Sequence, residues 1–128
     1  MRSFLLVGVG GFLGSVCRYY LGGLALHLTA ASRFPWGTLA VNTLGCTVIG
    51  LLAGAAEYRH ILGPSARLFL FTGLLGGFTT FSAFGYETYF LGREHSWVAA
   101  MLNVGLHLAL ALPAVWLGHR LAAGLLAG

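Results

Sequence analysis

The residues best suited to chemistry cluster in one stretch, GLLGGFTTFSAF, at positions 73–84. It lies inside a long apolar run, where a membrane helix should be most regular. Two adjacent glycines, Gly76 and Gly77, weaken a helix because they have the most backbone freedom to lose. Thr79 and Thr80 follow, adding β-branching and hydroxyls that compete for backbone partners. A helix break at bilayer depth leaves carbonyls and amides unpaired, which is tolerated only inside protein or beside a wet cavity. Backbone exposed in this way suits ion handling, since free carbonyl oxygens are ligands for a hard cation such as sodium. Phe81 and Phe84 share the next helical face, and the positive edge of an aromatic ring can meet an anion. The plainer reading of such a pair is packing or lipid contact.

Other spans add isolated polar groups. Arg18 stands far into the first apolar run, followed by Tyr19 and Tyr20. An arginine at a helix centre costs about 2.5–3.5 kcal/mol on insertion scales. It is either a snorkelling side chain within an aromatic belt or a cation at the mouth of an anion path. Asn42 must find a partner in hydrocarbon, either another helix or a passing anion that its two N–H donors would hydrate. Asn103 and His107 are one turn apart and form a polar stripe, read as a buried pair or as part of a wet path. His107 belongs to the one side-chain type that titrates near neutrality unperturbed, which leaves a proton-sensitive path open. Glu87 reads as structural, hydrogen-bonded or paired with an arginine. With no carboxylate at the centre of any other span, an exchanger built on a mid-membrane acid is disfavoured.

These groups need helices to hold them. The chain has 128 residues, 58% hydrophobic and 8% charged, against about 25% charged for soluble domains. It reads as an all-α membrane protein. At about 20 residues per span there is room for four helices and short connections, one domain over 1–128. Expected spans are 3–28, 37–56, 68–91 and 96–121, the third broken near the membrane midplane. The apolar character of the first span is too long for a signal peptide's core of about 7–15 residues. Four short helices enclose little, so an oligomer is expected. Gly10 and Gly14, Gly50 and Gly54, and Gly73 and Gly77 are each four apart, a spacing that lets helix backbones approach closely. Cys17 and Cys46 lie in separate apolar segments and form no disulfide framework.

All seven basic residues are arginines, and none cluster, so no nucleic-acid surface is present. Arg2, Arg59, Arg67 and Arg120 fall on one side of the membrane, Arg33 and Arg93 on the other. A bias this small sets orientation weakly. Insertion in both orientations is expected.

The motifs are similar to those of the Fluc (CrcB) fluoride channel family. GGFTTFSAF (76–84) resembles the family's Gly-Gly-x-Thr-Thr-Phe-Ser-Thr-Phe signature. GGFLGSVCRY (10–19) resembles its first-span pattern, and PWGTLAVNTLG (35–45) its second-span Gly-Thr-Leu-x-x-Asn-x-x-Gly pattern. The resemblance implies a dual-topology antiparallel homodimer in the cell inner membrane. It implies two fluoride pores and a central structural Na⁺ held by the main-chain carbonyls of Gly76 and Thr79. By position it assigns Asn42, Phe81, Phe84, Thr38 and Ser82 to the pore, and Arg18 to the vestibule; Asn103 and His107 stand where other members carry different polar groups. Ala83 replaces the usual threonine, removing a hydroxyl from the polar track.

The function that follows is passive fluoride export, without enzyme chemistry, with fluoride, sodium, lipid and a second copy of the chain as partners. The alternative is a small multidrug-type proton-coupled exporter, which calls for a glutamate in the first span; Arg18 is there instead. A third reading is a non-transporting membrane scaffold whose polar residues only join helices.

Overall fold

A computed structural model describes residues 1–30, 32–59 and 61–126. The described residues are mainly helical: α1 (Arg2–Leu28), α2 (Trp36–Arg59), α3 (Pro64–Arg67), a π-helical segment (Leu68–Leu75), α4 (Gly76–Phe78), α5 (Phe81–Glu94) and α6 (Trp97–Leu126). Four helical stretches are long and apolar enough to cross a membrane: 2–28, 36–59, 64–94 and 97–126. At 1.5 Å per residue these measure roughly 36–46 Å, more than the roughly 30 Å hydrocarbon core, so their ends reach the headgroups. That is why the helices outrun the expected spans. Arg59 and Glu94, read as loop residues, continue the last turns of α2 and α5, where Arg93 Nε pairs with Glu94 Oε1 at 2.7 Å.

Local chemistry sets the ends. Thr29 closes α1 by donating its amide to Ala25 and Leu26, and its hydroxyl to the Ala25 carbonyl at 2.8 Å. Pro64 opens α3 at its first turn, where a missing N–H costs nothing. The Ser96 hydroxyl accepts from the Val98 amide at 3.1 Å ahead of α6. Gly92 leaves room for the Trp97 ring across this tight connection; a Cβ there would lie 3.1 Å from ring carbons.

Glycine seams join the spans. A Cβ on Gly14 would meet the Leu74 carbonyl oxygen, and one on Gly10 would sit 2.7 Å from the Phe69 carbonyl oxygen. On the α2–α6 contact, Gly50 meets Val115 and His119, Gly54 meets His119 and Ala122, and Gly118 meets Thr47 and Leu51. Partner numbers rise together, so α2 and α6 run parallel. All three glycine pairs expected from their spacing therefore lie where another helix backbone approaches. α1 packs on the π-helical segment and α4, and α5 on α6.

Gly76 and Gly77 are helical, contrary to their reading as helix weakeners. Gly77 is required for approach instead: a Cβ would collide with the backbone of Gly11 on α1. The extended backbone falls on Thr79 (φ −82°, ψ 157°) and Thr80 (φ −149°, ψ 110°), between α4 and α5. Just before it the chain is wound as π-helix, with the Gly76 amide bonded to the Phe71 carbonyl five residues back. Such wide turns are rare and often accompany functional sites.

Candidate functional site

The extended pair Thr79–Thr80 organises the site. Extending Thr80 takes its amide away from the Gly76 carbonyl, its helical partner. The Asn42 side chain on α2 takes over: its Oδ1 accepts from the Thr80 amide at 2.9 Å, and its Nδ2 donates to the Thr80 carbonyl at 3.1 Å. One amide side chain thus replaces two backbone bonds, as a second strand would. The Thr80 hydroxyl caps α5 by accepting from the Ala83 amide at 3.1 Å, and it pairs with the Ser82 hydroxyl at 3.2 Å. Thr79 donates both its amide and its hydroxyl to the Leu75 carbonyl.

Arg18 and Ser15, on α1, serve a different carbonyl. Arg18 Nε donates to Gly77 O at 3.1 Å, and the Ser15 hydroxyl reaches the same oxygen at 3.4 Å. The amide that would close a helical turn on Gly77 belongs to Phe81, beyond the extended pair. Arg18 therefore sits on the interrupted backbone, within reach of a cavity of about 250 Å³ also lined by Tyr19, Thr38, Thr80 and Ala83. The Thr38 hydroxyl donates to Glu87 Oε1 at 2.6 Å. Glu87 is thus held by a neutral hydroxyl rather than by an arginine.

A second cavity, of about 360 Å³, shares Thr80 with the first. Its polar wall is Asn42, Thr79, Thr80 and His107; its aromatic wall includes Phe81 and Phe84. The two phenylalanine rings tilt at 49° with centroids 5.5 Å apart, and Phe84 meets the His107 ring at 4.3 Å. Phe81 is 83% exposed, far more than packing inside this chain would leave it. Gly76 lines the same cavity and is exposed.

Behind the cavity, Asn103 is fully buried and His107 nearly so. Asn103 Nδ2 donates to the Thr88 hydroxyl at 2.8 Å, and that hydroxyl donates on to the Phe84 carbonyl at 2.7 Å. His107 Nδ1 bonds the Asn103 carbonyl at 3.0 Å. Of the residues singled out from sequence, Asn42, Gly76, Thr79, Phe81, Phe84 and His107 share the larger cavity, while Arg18 and Thr38 line the smaller. Ser82 and Asn103 line neither.

Thr80, Thr88 and Ser15 were not singled out as site residues. Thr80 had a local signal, as a threonine at the start of an apolar helix is a ready N-cap. The other two act through partners distant in sequence. Among the described residues no three His, Cys, Asp or Glu side chains gather to hold a metal. Cys17 and Cys46 are free thiols.

A family model described as "CrcB-like protein, Camphor Resistance (CrcB)" matches residues 5–119. The protein named "Fluoride-specific ion channel FluC" of Opitutus terrae is 48% identical over 128 aligned residues, covering 98% of this chain and 96% of its own. Its namesake in Methylobacillus flagellatus is 46% identical over 121 residues, 94% of each chain, and that of Geobacter sulfurreducens 44% identical over 118 residues. With its motifs, four apolar spans and full-length similarity in agreement, the chain belongs to the CrcB-like family.

Proposed function

We propose that this protein is a fluoride-selective channel that lets F⁻ leave the cell passively. The carrying observation is the near-full-length identity, 46–48%, to relatives named fluoride-specific ion channels. Hydrogen fluoride enters neutral and dissociates in a neutral cytoplasm; a channel then lets the trapped anion leave down its gradient. The cavity suits the task. Phe81 and Phe84 offer ring edges, and Asn42 keeps one amide hydrogen beyond its bond to Thr80. Thr38 and Arg18 extend the polar path into the smaller cavity, which Thr80 also lines, and Ser82 pairs with the Thr80 hydroxyl. A proton-coupled exporter has no support, since α1 carries no carboxylate.

The working unit in this reading is an antiparallel homodimer in the inner membrane, inserted in both orientations, with two pores. The exposed Phe81 and Gly76 would face the partner copy. The interruption at Thr79–Thr80 is the break in the third span, at membrane depth. Its carbonyls fit a structural Na⁺. Thr80 gives its amide to Asn42 rather than to Gly76 O, and Ala83 gives its amide to the Thr80 hydroxyl rather than to Thr79 O. Hard oxygen donors freed in this way suit sodium better than any soft-ligand metal. When bound, such an ion would balance the carbonyl dipoles that meet there.

The test is efflux from liposomes carrying the purified protein, read with an F⁻ electrode. Rapid F⁻ release with Cl⁻ retained is expected. No F⁻ release, or equal loss of Cl⁻, overturns the reading.

A further inference from the structure

His107, in the wall of the larger cavity, carries an unused lone pair. Backbone carbonyls only accept, so the bond from His107 to the Asn103 carbonyl requires the hydrogen on Nδ1. In the neutral ring Nε2 is then bare. It is buried and has no hydrogen-bond partner among the described residues, although the residue lines the larger cavity and is only 7% exposed. The Asn103 amide does not bond it. Thr88 directs its hydroxyl hydrogen to the Phe84 carbonyl, so it accepts from Asn103 Nδ2, leaving Asn103 Oδ1 as a second buried acceptor without a partner. The α6 stripe therefore holds two buried acceptors without partners, His107 Nε2 and Asn103 Oδ1.

Neutral imidazole nitrogen beside an anion is a lone pair facing a negative charge. Protonated at Nε2, the same atom becomes a charged donor. We propose that the cavity binds its anion together with a proton on His107 Nε2. The inference rests on the fluoride reading and adds a second ligand to it. The groups around His107 point the same way. Phe84 faces it from α5, Asn42 and the Cys46 thiol line the cavity from α2, and Phe71 lines it from the π-helical segment. No carboxylate or guanidinium lines this cavity among the described residues. Glu87 on α5 is engaged by Thr38, and Arg18 on α1 by Gly77. Cys46 is the other titratable group in the wall, and a neutral thiol offers no charge to the anion.

Coupling between two ligands is reciprocal and commonly amounts to roughly 5–150-fold. Fluoride should therefore raise the proton affinity of His107 by the factor by which the proton raises fluoride affinity. In liposomes, with protein-free vesicles subtracted for leak of hydrogen fluoride, F⁻ efflux should rise several-fold from pH 8 to pH 5.5. His107→Gln, which keeps a neutral amide but cannot titrate, should lose that slope. A wild-type profile flat across this range, or an unchanged slope in His107→Gln, overturns the proposal while the channel reading stands. Absence of efflux at every pH would instead remove the channel reading itself. Should the variant fail to fold, ¹⁵N-histidine NMR of the wild-type protein decides. The His107 midpoint must rise at saturating KF, and an unmoved midpoint refutes the proposal.

Discussion

Asn42→Ala removes the side chain that replaces the backbone bonds of Thr80, so it tests whether the extended pair depends on α2. Two hydrogen bonds are lost, at 2.9 and 3.1 Å. Asn42 and Thr80 are half-buried, so about 1 kcal/mol net is a fair figure for each bond. The sum, about 2 kcal/mol, corresponds to roughly a thirtyfold shift in the balance between the extended backbone and any rival conformation. The obvious rival is a healed helix in which the Thr80 amide returns to the Gly76 carbonyl. Healing would swing Phe81 and Phe84 by several residues' worth of rotation and withdraw the Gly76 oxygen. F⁻ efflux should therefore fall at least tenfold. Hydrogen exchange of the Thr80 amide, measured in detergent, separates the routes to that loss. An amide that stays protected marks a healed helix, and one that exchanges freely marks an open backbone. Asn42→Asp keeps the acceptor for the Thr80 amide but sets a carboxylate against the Thr80 carbonyl, and it should lose flux as well. Wild-type efflux in Asn42→Ala, with an unaltered melting temperature, would refute the assignment of Asn42 as the clamp.

Three further outcomes are expected. Gly14→Val drives a side chain into the Leu74 carbonyl where α1 crosses the third span; overpacking of this kind costs about 1–3 kcal/mol and should lower the detergent melting temperature by several degrees. Gly8→Val, where nothing lies within 4 Å of a Cβ, should leave it unchanged. Phe81→Ile should abolish most F⁻ efflux yet leave the melting temperature of the isolated chain nearly intact, because that ring is 83% exposed. Phe84→Ile should reduce both, since it also removes the ring against His107. A reporter fused to the C-terminus should be found on both faces of the membrane, and further Arg residues on the Arg2 side, which already holds four against two, should bias it; a single orientation in the unaltered chain would refute dual insertion.

Composition and spacing were enough to read four spans, the glycine seams and a special third span, because each depends on residues close in sequence. Three features lay beyond that reach. The π-helical turns at Leu68–Leu75 have no compositional mark; LFLFTGLL would serve equally well as α-helix. The interruption was read at Gly76–Gly77 as much as at the threonines, because glycine's intrinsic helix cost is a local quantity. Its compensation, backbone contact with Gly11, comes from a helix some 66 residues away. Asn42 is separated from Thr80 by 38 residues, and Arg18 from Gly77 by 59. Arg18 was read as facing lipid headgroups or an ion, and Asn42 as bonding another helix or an anion; the structure places both against backbone freed by the extended pair, which for Asn42 is the helix reading.

In the proposed channel, that reassignment would change what selects the ion. A polar group already bonded to protein contributes little to dehydrating a passing anion, because its donor must first be released. Arg18 Nε, one Asn103 hydrogen and one Asn42 hydrogen are so engaged. What remains in the wall of the larger cavity is sparse: the edges of Phe81 and Phe84, one Asn42 hydrogen and, once protonated, His107 Nε2. A site with so few donors holds any anion weakly. These donors alone do not favour the smallest anion, because the electrostatic energy that grows as separation shrinks also binds its water most tightly. Selection for fluoride in the proposed channel therefore needs further donors at close range, such as those a second copy of the chain would bring to the exposed Phe81. Weak contacts spread over several groups are also what conduction requires, because an ion must enter and leave.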